Sequence, residues 1–459
     1  MTGQLSKTGF TALLILALML PAAPALGDTL YVPGQYATIQ AAIDAATNPG
    51  DVVEIADGTY TGAGNKNLDF GGMAITVRSA NGPDGCTIDC QGSGRGFYFH
   101  TGEGPDSIVE GLTIRNGDLT DSGGGIYCNG SSPTIRDCVI TDNQAPYRGG
   151  GVCCFSGSPA FSRCVISNNL VTGGSYNFGG ALYCYDGDPT LTDCAIVGNS
   201  ATSTSADGGG IYCIFASLTM TNCVIYGNAA ERDGGGVHLD GYMIWTFINC
   251  TFSANTANDQ GGAIWYGDTG PMVTNCILWG DTPQEIYASG VTATVTYCDV
   301  QGNWGDPNDH NIDADPLFVD ADGPDGDPNT WSDNDYHLGA GSPCIDAANN
   351  VAVPPEVTTD LDGDPRFVDD PDTPDTGVGD PPIVDMGAYE YQVGGCPGDV
   401  NGDDQTNISD LAELLAAYNT CPGDAGYNPA CNLYEDDPPD GCVNLSDLAF
   451  LLADYGCPD

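Results

Sequence analysis

Residues 137–143 read DCVITDN. The phrase returns as RCVISNN (163–169), DCAIVGN (193–199), NCVIYGN (222–228) and NCTFSAN (249–255). Aligned on the cysteine, the series is Cys138, Cys164, Cys194, Cys223, Cys250, Cys276 and Cys298, at intervals of 26, 30, 29, 27, 26 and 22 residues. Two places on stand Ile140, Ile166, Ile196, Ile225, Phe252, Leu278 and Val300. Three places back stand Ile135, Phe161, Leu191, Met220, Phe247, Val273 and Val295. Five places on stand Asn143, Asn169, Asn199, Asn228, Asn255, Asp281 and Asn303. An earlier unit, VEGLTIRNG (109–117), fits with Leu112 in the cysteine slot and Gly117 in the asparagine slot.

Each unit carries a second phrase: GGGIYC (123–128), GGGVCC (149–154), GGALYC (179–184), GGGIYC (208–213), GGGVHL (234–239) and GGAIWY (261–266). The apolar runs are too short for helices, alternate with a period of two and are separated by Gly or Asn, which predicts short strands. Strands repeating at this interval cannot bury their apolar faces singly, so they stack into one shared core. Coils spaced by the ~4.8 Å between paired strands give a parallel β-helix. Aliphatic and cysteine positions then point inward and pile on their own kind. The Asn/Gly slot predicts a bend with left-handed backbone, and the Gly-Gly pairs predict a second tight corner. Upstream, ATIQAAIDAA (37–46) puts Ile39, Ala42, Ile43 and Ala46 on one face, a capping helix with Thr38 as its N-cap. The pattern resembles the right-handed parallel β-helix of the pectin-lyase-like superfamily, over roughly Thr29 to Asn303. The expected class is therefore all-β, with a small α-helical module at the C-terminus described below.

The chain has 459 residues and a formal net charge of -52, from 62 acidic and 10 basic residues. Beyond Trp304 the only lysine or arginine is Arg366. Such a surface repels nucleic acid and anionic membranes and suits divalent cations. Residues 1–27 combine a lysine, a short apolar run and small residues before Asp28, the pattern of a secretory signal peptide. The run is too short for a comfortable membrane span, and no later segment resembles one. The expected location is secreted or at the cell surface.

Twenty cysteines in an exported chain suggest disulfides. Small core fillers, vertical bridges and metal ligands are the three readings of the cysteine columns. Leu112, Leu239 and Tyr266 in cysteine slots favour fillers, since a bridge or a metal would not accept them.

Residues 304–391 form an acidic segment expected to cap the β-helix; it resembles the closing segment of many secreted bacterial β-helix proteins. In it Asp320, Asp322, Asp325 and Asp327 are candidate calcium ligands. A linker (392–395) leads to a duplication in residues 396–459, where NISDLAELLAAYN (407–419) matches NLSDLAFLLADYG (444–456). Read from Asp399, the oxygen-donor positions of an EF-hand-type loop are Asp399, Asn401, Asp403, Gln405 (through its carbonyl), Asn407 and Asp410. The second loop reads Asp436, Pro438, Asp440, Cys442, Asn444 and Asp447, with proline where a side-chain oxygen is needed. The module resembles a type I dockerin. That resemblance implies calcium as cofactor, a cohesin-type protein as partner, and Ile408-Ser409 and Leu445-Ser446 as partner-contacting residues.

The superfamily includes pectate lyases, pectin esterases and polygalacturonases. A lyase needs a basic residue beside calcium; Arg115, Arg136, Arg148, Arg163, Arg232 and Lys66 are the candidates, and no two obviously converge. A glycosidase needs paired carboxylates across a groove. Tyr127, Cys153, Tyr183, Tyr212, His238 and Trp265 alternate with the inward slots and form an outward column. Its aromatics Tyr127, Tyr183, Tyr212 and Trp265 are either a sugar-stacking platform or a cross-strand ladder. The expectation is a non-catalytic exported protein engaging polysaccharide or a protein partner. The alternative is a polysaccharide lyase or glycoside hydrolase tethered through its dockerin.

Overall fold

A computed structural model describes residues 27–174, 176–302, 304, 309–323, 334–371, 373–392, 400, 408–421, 428, 431, 443–444, 448 and 451–452. Residues 1–26, nearly all of the expected signal peptide 1–27, and most residues of the two expected calcium loops lie outside these residues.

The chain winds as a parallel β-solenoid. Its walls are three long sheets of 11, 10 and 8 strands, with a short fourth sheet of 5 strands at one corner. The predicted columns are the observed registers. In the first sheet Ile135 pairs with Phe161, then Leu191, Met220, Phe247, Val273 and Val295 follow. In the second sheet Ile140, Ile166, Ile196, Ile225, Phe252, Leu278 and Val300 stack in order. In the third sheet Cys128, Cys154, Cys184, Cys213, Leu239 and Tyr266 do the same. All belong to one continuous buried core.

The main cysteine column has a structural reason beyond volume. Each thiol is buried and donates to the carbonyl two residues back, at 3.1–3.3 Å in all seven coils. The residue between donor and acceptor is left-handed each time: Asp137, Arg163, Asp193, Asn222, Asn249, Asn275 and Tyr297 have φ between 49° and 56°. Each of these carbonyls also accepts a backbone N–H from the preceding coil, so the small side chain fills a tight corner and adds a weak second donor to it. These sulfurs are thiols, the filler reading. Register places Cys86 one coil above Leu112 in the same column, so the column starts earlier than the phrase that revealed it.

The asparagine column works differently from the expectation. Asn143, Asn169, Asn199, Asn228 and Asn255 are not the left-handed residues; the residue before each is, as in Asp142, Asn168 and Ala254. The asparagines instead turn inward as a buried amide ladder. Each Oδ1 accepts both the backbone N–H and the Nδ2 of the preceding rung, at 2.9–3.0 Å from Asn143 to Asn255. Gly117 occupies the first rung because a Cβ there would fall 1.9 Å from the Gly124 carbonyl oxygen. At the Gly-Gly corner the first glycine is left-handed, and a Cβ on the second would collide with the next coil: at Gly180 it would lie 2.2 Å from the Gly209 oxygen.

The predicted N-terminal helix is short, Ile39–Ile43, with Thr38 Oγ1 accepting the Ala41 N–H. Ile39, Ala42, Ile43 and Ala46 are buried in the main core, beside the first strands. At the other end residues 309–313 continue the second sheet past its last strand, through Ile312 on Cys298 and Val300. Residues 344–391 do not plug this end. They lie along the flank: Ala388 N–H donates to Thr251, Gly387 N–H to the Asn275 carbonyl, and Asn222 Nδ2 to the Thr359 carbonyl. The C-terminal duplication yields a helix, Ile408–Ala417, and a small apolar cluster. Leu414 and its sequence equivalent Leu451 are both fully buried there, with Leu411 and its equivalent Leu448 packed against them.

Candidate ligand-binding faces

The outward column of the third sheet is a continuous ladder. Tyr183 and Tyr212 stack at 5.7 Å and 8°, Tyr212 and His238 at 4.6 Å, and His238 and Trp265 at 4.0 Å. Cys153 leaves a gap that Phe155 and Arg148 fill, the guanidinium lying 5.3 Å from the Tyr183 ring. The middle rungs cannot serve as an open platform, because Tyr183 and Tyr212 are only 4% and 5% exposed. Phe178, carried out on the corner that precedes the Tyr183 strand, covers them at 6.4 and 4.5 Å. Here the cross-strand reading holds. His238, locked between two rings, is pushed down to about 3 by burial and by Arg232, and so is a neutral imidazole.

Trp265 and Tyr127 remain half-open. Arg95 covers Tyr127 at 4.7 Å. Trp265 instead lines a cleft of about 510 Å³ with Asp240, Tyr242, Gly267, Asp268, Ser289, Gly290 and Val291. Tyr242 is 79% exposed, and the neighbouring Asp268 carboxylate raises its hydroxyl above the ordinary value. A Cβ at Gly267 would sit 3.4 Å from the indole and 3.3 Å from the Asp240 carboxylate, so glycine keeps the cleft clear. Burial, then Asp268, raises the Asp240 carboxyl above its ordinary value. Two aromatic rings and two carboxylates thus converge on one recess. The sequence showed Trp265; Tyr242 and Asp268 stand on bends outside the repeat and gave no signal, and Asp240 ends a strand of the third sheet, opposite Ile214, one place beyond the column that was read.

A second recess, of about 370 Å³, lies where the solenoid meets the acidic segment. Trp279, Phe318 and Tyr336 line it with Ser253, Thr256, Thr282 and Asp322. Asp322 was a candidate calcium ligand; its companions Asp325 and Asp327 lie outside the described residues.

The basic candidates are mostly committed elsewhere. Arg136 pairs with Glu110 at 2.6 Å, Arg163 with Asp137 at 2.6 Å, Arg115 with Asp89 at 3.4 Å, and Arg232 with the buried Asp207. Lys66 donates to the Cys90 carbonyl and Ser93. Of the predicted calcium ligands, Asp399, Asn401, Asp403, Gln405, Asn407, Asp436, Asp440, Cys442 and Asp447 lie outside the described residues, as do Leu445 and Ser446. Asp410 falls within the Ile408–Ala417 helix. Ile408 is 71% exposed and Ser409 is exposed, while Asn444 is half-buried.

Residues 48–201 match the family described as "Right handed beta helix region", and residues 249–266 match a Chlamydia polymorphic membrane protein repeat. The chain is a right-handed parallel β-solenoid. No curated protein matches it. Among solved structures, the solenoid is similar to pectate lyase Pel9A, with a TM-score of 0.39 at 17% identity, covering 77% of this chain and 90% of that one. It is also similar to the rice weevil pectin methyl esterase, with a TM-score of 0.30 at 14% identity over 59% and 90% of the two chains. Among the described residues no helix is long and apolar enough to cross a membrane.

Proposed function

We propose that this is an exported, non-catalytic solenoid that engages a neutral polysaccharide at the Trp265 cleft. The observation that carries the reading is the convergence of Trp265, Tyr242, Asp240 and Asp268 on one glycine-cleared recess. Aromatic faces pack against the apolar faces of sugar rings, and carboxylates accept from sugar hydroxyls. The same carboxylates, on a chain of net charge -52, disfavour a polyuronate. The short helix Ile39–Ile43 caps the first coil, shielding a strand edge that would otherwise pair with another chain.

The C-terminal module is dockerin-like, stabilised by calcium at Asp399, Asn401, Asp403, Gln405, Asn407 and Asp410. It serves for docking to a cohesin-type protein or for surface attachment. Support comes from the burial of Leu414 against its repeat equivalent Leu451, as expected of two loop-helix units packed on each other, and from the exposure of Ile408 and Ser409.

One observation favours the rival glycosidase reading: Asp240 is raised while Asp268 shares its recess, the division of labour an acid and a base require. One experiment separates the two. The full-length protein is titrated with neutral and acidic polysaccharides, and reducing ends are assayed in parallel. The expected result is retention of a neutral glycan, weakened at least tenfold by Trp265→Ala with Tyr242→Ala, and no new ends. Unchanged retention in the double variant removes the cleft. New reducing ends that vanish in Asp240→Asn overturn the non-catalytic reading.

A further inference from the structure

We propose that the acidic segment holds a calcium ion between Asp346, Asp369 and Asp375, a site separate from the C-terminal loops. One carboxylate oxygen from each lies within 4.8 Å of the others. Oxygens bound to one calcium ion at 2.3–2.6 Å stand up to about 5 Å apart, so the spacing fits without rearrangement. The donors are all hard oxygens, which suit calcium or magnesium rather than a soft metal. An irregular loop set favours calcium, because magnesium demands a strict octahedron.

The independent observation is Asp346 itself. Its side chain is fully buried. Its Oδ2 accepts the Asp370 N–H at 3.2 Å, while Oδ1, also buried, has no hydrogen-bond partner. A buried carboxylate oxygen left unpaired is costly. The groups around it are Asp369, Asp370 and Asp375, which make the cost larger. The one guanidinium of this segment is turned elsewhere: Arg366 donates to the carbonyls of Asp385 and Gly387 and faces Glu390 at 3.6 Å. No protein cation among the described residues is therefore placed to neutralise the cluster.

The backbone builds the site in advance of any ion. Thr376 and Gly377 both donate to the Asp346 carbonyl, at 2.9 and 3.0 Å, which fixes Asp375 beside it. The Asp370 N–H on Asp346 Oδ2 fixes Asp369 from the other side. Asp369 and Asp375 are exposed and leave a path from solvent. The ion would pin the 369–377 loop to the strap that runs along the solenoid, where Asn349 bonds to Asn275.

The test uses the full-length chain, stripped with chelator and dialysed against radioactive calcium chloride with magnesium in excess. Asp369→Asn with Asp375→Asn, both at exposed positions, is expected to bind one calcium fewer than wild type. The loss should be the same in an Asp399→Ala background, which separates this site from the first C-terminal loop. An unchanged stoichiometry overturns the proposal. Asp346→Asn supplies a second readout. In chelator it should melt no lower than wild type, since a neutral amide replaces an unpaired carboxylate, and calcium should raise its melting temperature less than it raises that of wild type. A large drop in chelator, or an undiminished calcium response, would show Asp346 to be a structural acceptor only and refute the site.

Discussion

Replacing Asn199 by alanine tests the inner logic of the solenoid. Asn199 Oδ1 accepts two bonds from Asn169, from its backbone nitrogen at 2.9 Å and its Nδ2 at 3.0 Å. Its own Nδ2 donates to the Ile166 carbonyl at 2.8 Å and to Asn228 Oδ1 at 3.0 Å. Alanine removes all four, and with them a fifth from Nδ2 to the Val197 carbonyl at 3.1 Å, which keeps the Asn168 N–H. The Asn169 Nδ2 keeps a second bond to the Ile140 carbonyl, and Asn228 Oδ1 keeps the Asn199 N–H, so neither group is fully stranded. The Asn169 N–H loses its Oδ1 acceptor in a fully buried setting, and the Ile166 carbonyl loses a donor. The Ile166 carbonyl keeps its place in the strand ladder, so one buried N–H is left without an acceptor, a loss of about 1–3 kcal/mol. Guanidinium unfolding followed by circular dichroism would read it as a lower midpoint at unchanged slope. Asn169→Ala with Asn199→Ala should cost clearly less than the sum of the singles, because removing both members of a bond strands fewer groups than removing one. A loss under about 1 kcal/mol, or strict additivity, would show that the ladder is ornament to strand pairing and not a source of stability.

Three further outcomes follow from the same geometry. Burial pushes the thiols of Cys138, Cys194, Cys223, Cys250 and Cys276 well above the ordinary cysteine value, so a disulfide reagent should label none of them in the native protein and all of them in denaturant; prompt native labelling would contradict the core assignment. His337 lies between Asp335 at 2.6 Å and Asp362 at 2.8 Å, and these carboxylates raise it to about 10; its stabilising effect is full below about pH 6.5, fades as pH rises toward 10, and should vanish from the pH–stability curve in His337→Ala. Glu285 is driven up to about 11 by burial and by Asp281, so it is protonated at neutral pH; Glu285→Gln should match wild type below about pH 4 and be the more stable of the two at neutral pH, because it lacks the decline that wild type shows as pH rises from the unfolded carboxyl value toward 11.

The columns were legible because period-two alternation reports direction, and a slip of one residue would have put Ile140, Ile166 and Ile196 outside together. What an outward residue meets is not a property of its own strand. Tyr183 and Tyr212 do point away from the core, yet Phe178 on another corner covers them. The asparagine slot was misassigned for a related reason. Asn and Gly share both a tolerance for left-handed backbone and a small size, so a column containing both fits a bend or a crowded interior. Only the neighbour decides: Gly117 sits where a Cβ would strike the Gly124 carbonyl of its own coil, and Asn143 where an Oδ1 can reach the Gly117 N–H. The cation cluster was invisible because Asp346 and Asp375 are separated by a loop whose return depends on two backbone bonds to one carbonyl.

The flank shows how one column can serve two ends of the same stack. Along the outward side of the second sheet the sequence of residues is Val139, Val165, Ala195, Val224, Thr251, Ile277 and Asp299. Val165 is 38% exposed, whereas Val224, Thr251, Ile277 and Asp299 are buried. Nothing in strand pairing changes between these coils; the difference is the segment 344–391 lying across the later ones. Ile277 joins the apolar cluster of that segment, with Cys344, Ile345 and Met386. Cys344 Sγ donates to Asp299 Oδ2 at 3.3 Å, the kind of contact that lets a carboxyl stay buried at a sheet edge. A solenoid has a wet outer wall by default, and apolar residues there call for a cover. The acidic chain beyond Trp304 supplies that cover with Ile345, Val384 and Met386. Its acidic residues divide: Asp360, Asp385 and Glu390 are buried, where their oxygens accept backbone N–H groups that shape the strap, while Asp369 and Asp375 face solvent. The apolar set fixes the strap to the wall, the buried carboxylates hold its turns, and the exposed ones are left to face water and cations.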